Sequence, residues 1–343
     1  MAERSRLCAP FVSALAVMVF ATAFTAAADE KERVLKGHTK CVYCLAFSGD
    51  GRSLATGGPD GTARVWDVAS CTERATSELP GEIVFEVAIS PDGKLLATSS
   101  EATTRKRAND PGRLRVYEVG KERPLWSVET VGGGTPVAFA PDGKFLATGN
   151  NEKQESKIKL WDPVKGEELD NLQADGKFAR QLAFSLNGKQ LVVGDDDLMI
   201  RIWDMAEREV RAEFRAPFER RIAHLAISPD SKALAIGGGG SALVKVCDAT
   251  TGKEIGSIKA GCNFSGNVAW SPDGKLLVAP GLHGANEFDL HVFETVHYKR
   301  QTVLKGHGGP ITWVAFSPDG KLIATASDDK TVRLWKVSDI KLP

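Results

Sequence analysis

Cysteines, histidines and close-set carboxylates are the side chains in these 343 residues that could do chemistry. Cys41-x-x-Cys44 has the spacing of a redox or metal-binding pair. The flanking residues alternate as a strand does, and three residues along a strand span about 10 Å and end on opposite faces. That geometry suits neither a disulfide nor a shared metal, so small apolar strand residues are expected. Asp195-Asp196-Asp197 would suit a hard cation. Asp197, however, lies six residues before Trp203, where an ordinary acidic turn is expected. His283, His291 and His297 lack ligand spacing and are expected at the surface.

Larger catalytic patterns are missing from the letters. No Gly-x-Ser-x-Gly elbow occurs; the nearest approach is Asn263-Phe264-Ser265-Gly266-Asn267. Eight Gly-Lys pairs occur, none followed by Ser or Thr as a phosphate loop requires. No His-Glu-x-x-His is present, and the glycine runs at 132–134 and 237–240 have no amphipathic helix after them. No catalytic residue, metal site or cofactor is therefore expected.

The elements that would position any site are written in a repeat. Ser-Pro-Asp-Gly, or a close variant, starts at Ser48, Ser90, Ala140, Ser185, Ser228, Ser271 and Ser317. Proline presets φ and glycine accepts positive φ, so each tetrad is a strand-connecting turn. Alternating apolar residues precede it, and a second apolar run follows, such as Leu54-Ala55-Thr56. A third strand then ends at Trp66, Tyr117, Trp161, Trp203, Cys247, Phe293 or Trp335, at intervals of 51, 44, 42, 44, 46 and 42 residues. Strand periodicity with this repeat length describes a four-stranded propeller blade. The predicted fold is all-β: seven antiparallel blades over 29–343, with repeats ending near 68, 119, 164, 205, 249, 296 and 337.

Gly37-His38 with Trp66-Asp67, and Gly306-His307 with Trp335, resemble the WD40-repeat family. His38, Thr56, Asp60 and Trp66 share their gaps of 18, 4 and 6 with His307, Thr325, Asp329 and Trp335. The resemblance implies a buried hydrogen-bond chain from Trp through Thr and His to Asp in those two repeats. The other five lack the Gly-His and are expected to rely on apolar packing. It also implies that Arg33 to Lys36 supplies the outer strand of the last blade and closes the ring. The Asp of each Trp-Asp pair (Asp67, Asp162, Asp204) is expected to be structural.

The extra length is confined to one class of loop. From the middle strand to the terminal aromatic position takes 11 residues in blades one, four and seven, but 20, 14, 12 and 15 in blades two, three, five and six. These second-to-third-strand loops share a face with the Gly-His loops, and variable loops on a rigid scaffold commonly carry function. The resemblance places binding residues at the starts of the inner strands: Tyr43, Phe85, Thr135, Arg180, Ala223, Gly266 and Thr312. Tyr43 and Phe85 could form an apolar shelf or merely plug the channel. Candidate binding residues are Tyr43, Phe85, Arg180, Arg105, Arg107 and Phe264. A protein- or peptide-binding scaffold, monomeric and non-catalytic, is the expectation. The alternative is a metal-dependent propeller hydrolase or lactonase at the channel mouth, for which Glu86 and His224 are the nearby groups.

Charge excludes other partners. Forty-four basic and 44 acidic residues leave no footprint for nucleic acid or an anionic membrane. Residues 1–28 read as a signal peptide, with Arg4 and Arg6 before an uncharged run and Ala26-Ala27-Ala28 for cleavage. An uncleaved membrane anchor is the alternative, since Ala9 to Ala28 carries no charge. The expected mature protein is periplasmic or secreted, with five cysteines and hence at least one free thiol.

Overall fold

The computed structural model describes residues 33–340 apart from 105–110, 131–133, 151–156, 174–177, 239, 241, 261–266 and 283–287. Twenty-eight strands form seven four-stranded antiparallel sheets around a common axis. Among the described residues the one helical element is a short 3-10 turn at Val337–Asp339.

Each sheet runs from an inner strand outward, and burial follows that order. In blade one the inner strand is Cys44–Phe47 and the next, Ser53–Gly57, is buried throughout. Middle strands lie between two neighbouring blades, so both faces are covered and the residues are small or apolar without alternation. The approach is close at Gly57, where a β-carbon would fall 2.6 Å from Val84 of the next blade. The outer strand Thr72–Glu78 faces solvent and reads as mostly polar. Seven apolar clusters occupy the seams between blades; one joins Ile200 and Ile202 of blade four to Leu225, Leu234 and Ile236 of blade five.

The Ser-Pro-Asp-Gly tetrads are the turns from inner to second strand. Ser90 Oγ donates to Asp92 at 2.7 Å, the Lys94 and Leu95 amides bond back to Ser90, and Gly93 takes φ +70°. On the same face, Asp67, Asp162 and Asp204 each accept backbone N–H groups of the following turn, at 2.8–3.2 Å. Those aspartates are structural.

Closure takes the expected form. Val34–Lys36 pairs antiparallel with Thr331–Lys336 as the outer strand of blade seven, with Leu35 opposite Val332. The N-terminal strand thus covers the edge that blade seven would otherwise expose.

Candidate functional site

Both Gly-His blades hold a continuous polar chain. In blade one Trp66 Nε1 donates to Thr56 Oγ1 (2.9 Å), which contacts His38 Nε2 (2.8 Å), and His38 Nδ1 contacts Asp60 Oδ2 (2.9 Å). In blade seven the matching contacts are 2.9, 2.7 and 2.7 Å through Trp335, Thr325, His307 and Asp329. Burial opposes ionisation of Asp60 and Asp329. Hydrogen bonds from the histidines, from Thr62 or Thr331 and from the Thr39 or Gly308 amide more than offset it, holding both carboxyls well below the usual range. Through these bonds both sets tie the entering loop to the middle strands of their blade.

The remaining blades are less uniformly apolar than their sequences suggest. Trp161 Nε1 still donates to Thr148 Oγ1 at 2.8 Å in blade three. In blade four the Arg201 guanidinium bonds to buried Asp195 (2.6 Å) and to Glu213 (2.7 Å). Asp195 also caps its turn through the Asp197 and Met199 amides. The acidic turn expected at Asp197 is present, and Asp195 at the end of the preceding strand is a second aspartate that holds it. In blade two Arg115 makes a two-pronged bond to Glu82, both distances 2.7 Å, with Ser100 joining. Ion pairs fill sites where the motif has lapsed, a substitution that spacing alone does not reveal. His291 also departs from expectation: it is buried at 1 % exposure, seated over Gly281. Cys41 precedes the inner strand that Cys44 begins, and both are free thiols.

At the starts of the inner strands the structure has a feature invisible in the sequence. Register shifts between Val84 and Glu86, Ala179 and Gln181, Ile222 and His224, and Ile311 and Trp313 leave Phe85, Arg180, Ala223 and Thr312 unpaired in four blades. Such bulges re-aim side chains. Four of the positions expected to bind are thus lifted out of the ladder at equivalent places. Phe85 packs against Tyr43 of blade one, ring centroids 6.2 Å apart, and Tyr43 remains 36 % exposed. Arg180 grips Asp196 through two bonds of 2.6 and 2.8 Å. Thr312 Oγ1 donates to the Val42 carbonyl, and Thr135 is buried. Arg105, Arg107, Phe264 and Gly266 lie outside the described residues.

Deeper in the ring, His224 of blade five meets Trp313 of blade seven edge to face at 5.1 Å. The contact skips blade six, so the two side chains meet across the axis. Burial drives the His224 pKa down to about 4. Burial pushes the Glu86 carboxyl up to about 8, partly offset by a hydrogen bond from the Val137 amide. Burial is the leading cause of both shifts. Among the described residues no cluster of three or more His, Cys, Asp or Glu is arranged to hold a metal.

The long loops are shorter than their residue count implies. The second strand of blade two runs Leu95–Ala102 and the third begins at Gly112, so Glu101, Ala102 and Gly112 belong to the sheet. Two clefts open on the opposite face. One of about 790 Å³ lies at the closure seam beside Arg33, Val68 and Val337; the other, of about 500 Å³, separates blades four and five.

Comparison with known proteins agrees with this architecture. The model of the WD domain, G-beta repeat, matches residues 29–67, 137–162, 166–204 and 298–336. The stretches it omits contain Tyr117, Cys247 and Phe293, where the terminal tryptophan is replaced. Protein tipD of Dictyostelium discoideum is 25% identical over 88% of the chain and 48% of that protein. A serine-threonine kinase receptor-associated protein of Gallus gallus is 29% identical over 59% of the chain and 54% of its own length. Eukaryotic translation initiation factor 3 subunit I of Drosophila melanogaster is 26% identical over 87% and 81%. The chain thus spans about half the length of the first two relatives. With its repeat matches, seven blades and paired Trp-Thr-His-Asp chains, it belongs to the WD40-repeat family of β-propellers.

Proposed function

We propose that this propeller is a non-catalytic scaffold binding a protein or peptide on the face that carries the Gly-His and second-to-third-strand loops. The observation behind this reading is the Tyr43–Phe85 pair, two touching aromatic rings on neighbouring blades, one raised by a bulge. Aromatic anchors beside a charged pair such as Arg180–Asp196 have the composition of an interface centre. A rigid ring keeps the cost of ordering low on binding. Relatives named as a receptor-associated protein and as a subunit of a translation factor point the same way. The partner meets the protein outside the cytoplasm, because residues 1–28 act as a cleaved export signal.

Affinity capture with the purified protein as bait tests the site. A partner retained by the native chain is expected to be lost by the double variant Tyr43→Ala/Phe85→Ala at unchanged melting temperature. Retention by both would move the interface elsewhere. Intact-mass measurement of the native protein checks export, with Asp29 expected at the N-terminus.

A further inference from the structure

On the face opposite that interface, the turns of successive blades interlock by one rule. The turn glycine of one blade lies beneath the turn proline of the blade before it: Gly51 against Pro318, Gly143 against Pro91, Gly188 against Pro141, Gly274 against Pro229 and Gly320 against Pro272. Between blades four and five both halves of the contact are changed. Leu186 replaces the proline and stands 59 % exposed, while Ser231 replaces the glycine. Ser231 holds φ +61°, a conformation its β-carbon disfavours and that glycine adopts freely. The turns here leave the cleft of about 500 Å³, within the size range of small-ligand sites.

The walls of this cleft have hydrogen-bonding capacity to spare. In blades two, three, six and seven the lysine after the turn glycine pairs with the aspartate of its own turn at 3.2–3.7 Å. Lys189 has no such partner because Asn187 stands in the aspartate's place. Among the described residues Lys189, Arg211 and Lys232, which all line the cleft, make no direct ion pair, although Arg211 and Lys189 attract Asp204, and Lys232 attracts Asp230, from farther away. Ser231 Oγ and Gln190 Oε1, also on its walls, are buried without hydrogen-bond partners. Asp204, Asp230 and Asp248 complete the lining. Each uses Oδ1 on its own turn, as Asp204 does for the Ala206 and Glu207 amides. Their Oδ2 atoms remain as acceptors.

The spare groups define a ligand. Three cationic donors and the Ser231 hydroxyl call for an oxyanion; Gln190 Oε1 and the carboxylate oxygens call for several hydroxyl donors. The three aspartates balance the three cations, so the cleft has no net charge to draw a polyanion. We propose that the cleft between blades four and five binds a small hydroxylated monoanion of the sugar-acid class. Its carboxylate meets Arg211, Lys189 and the Ser231 hydroxyl, a charge-assisted arrangement that guanidinium geometry favours. Its hydroxyls donate to Gln190 and the aspartates. The strained serine is then retained for its hydroxyl, which glycine could not supply.

Calorimetric titration of the purified protein with glucuronate, glucose, acetate and inorganic phosphate tests this. Glucuronate is expected to saturate one site, with the other three at least tenfold weaker. Arg211→Ala and Lys189→Ala should each weaken glucuronate at least tenfold with unchanged melting temperature, since both side chains are exposed. Ser231→Gly should weaken binding while raising the melting temperature, a split that a merely structural serine would not produce. No saturable glucuronate binding overturns the proposal. So does binding of acetate or phosphate as tight as that of glucuronate, or affinity unchanged in the Arg211 and Lys189 variants.

Discussion

Blade one and blade five occupy equivalent places in the ring yet hold their strands together differently. In blade one a buried polar chain runs from Trp66 to Asp60 and ties the middle strands to the loop entering the blade. In blade five the terminal position is Cys247, fully buried among aliphatic side chains, and Phe218 packs over Gly238 beside the entering loop. The polar chain is directional: each member has one geometry that satisfies it, and a missing member strands its neighbours. Apolar filling is tolerant of sequence provided volume is kept. The blades that form the closure seam, where chain ends must find each other, are the ones with the directional chain. Among the described residues, the blades away from the seam lack the complete chain, although Trp161 still reaches Thr148 in blade three.

The largest effect should come from removing the seam itself. Deleting 29–36 takes away the strand Val34–Lys36 and buried Leu35, exposing the edge of Thr331–Lys336. That edge is apolar and β-prone, so early unfolding or aggregation is expected in light-scattering melts. A monomeric variant melting like the intact chain would show that closure by this strand is dispensable.

Next come the terminal positions. Trp66→Ala removes a buried indole and one of the bonds to Thr56, and should cost about 3–5 kcal/mol. Trp335 makes the equivalent bond to Thr325 but is less buried, so its loss should cost less. Cys247→Ala removes little volume and should cost about 1 kcal/mol. Denaturant midpoints at constant slope rank the three; equal shifts would erase the distinction between polar and apolar blades.

A smaller effect concerns pH. Glu86 titrates near pH 8 in the fold, against about 4.5 for an ordinary glutamate. Between those values the folded chain keeps a proton that the unfolded chain releases, so stability falls as pH rises through the window. Glu86→Gln should therefore gain melting temperature relative to the native chain at pH 9 and not at pH 5. His224 acts oppositely: with its pKa at about 4 against 6.5, it withdraws stability as pH falls from 6.5 to 4. A Glu86→Gln difference that stays constant from pH 5 to 9 would contradict the burial of that carboxyl.

The smallest effect on stability belongs to the loop of blade two. Excising residues 105–110 leaves Leu95–Ala102 and Gly112–Glu118 paired, so the melting temperature should barely move. Binding of a captured partner should fall. Intact binding would remove that loop from the interface.

Much of this architecture is local and therefore legible in the letters. A turn needs a few residues with the right φ preferences, and a strand needs its apolar pattern. Repetition of both counted the blades, and the matching Val34-Leu35-Lys36 and Val303-Leu304-Lys305 marked the closing strand. Identical spacing likewise marked the two Trp-Thr-His-Asp sets. Other features depend on which neighbour a side chain meets. Nothing near Arg201 in sequence announces that it joins Asp195 to Glu213. His291 looked like a surface residue because burial of an imidazole depends on the space that Gly281 leaves on the adjacent strand. The bulges at Phe85, Arg180, Ala223 and Thr312 add a residue without changing composition, so only the ladder shows them.

The sequence by itself determined the fold class, the blade count, the turn face and the manner of closure, because each rests on backbone preferences acting within a few residues. The tertiary structure alone decided where polar groups find partners and where they do not: the axis contact of His224 with Trp313, the aromatic pair at Tyr43, and the open cleft beside Ser231. Those depend on distances between blades dozens of residues apart, which a repeat specifies only where every copy keeps the same letters.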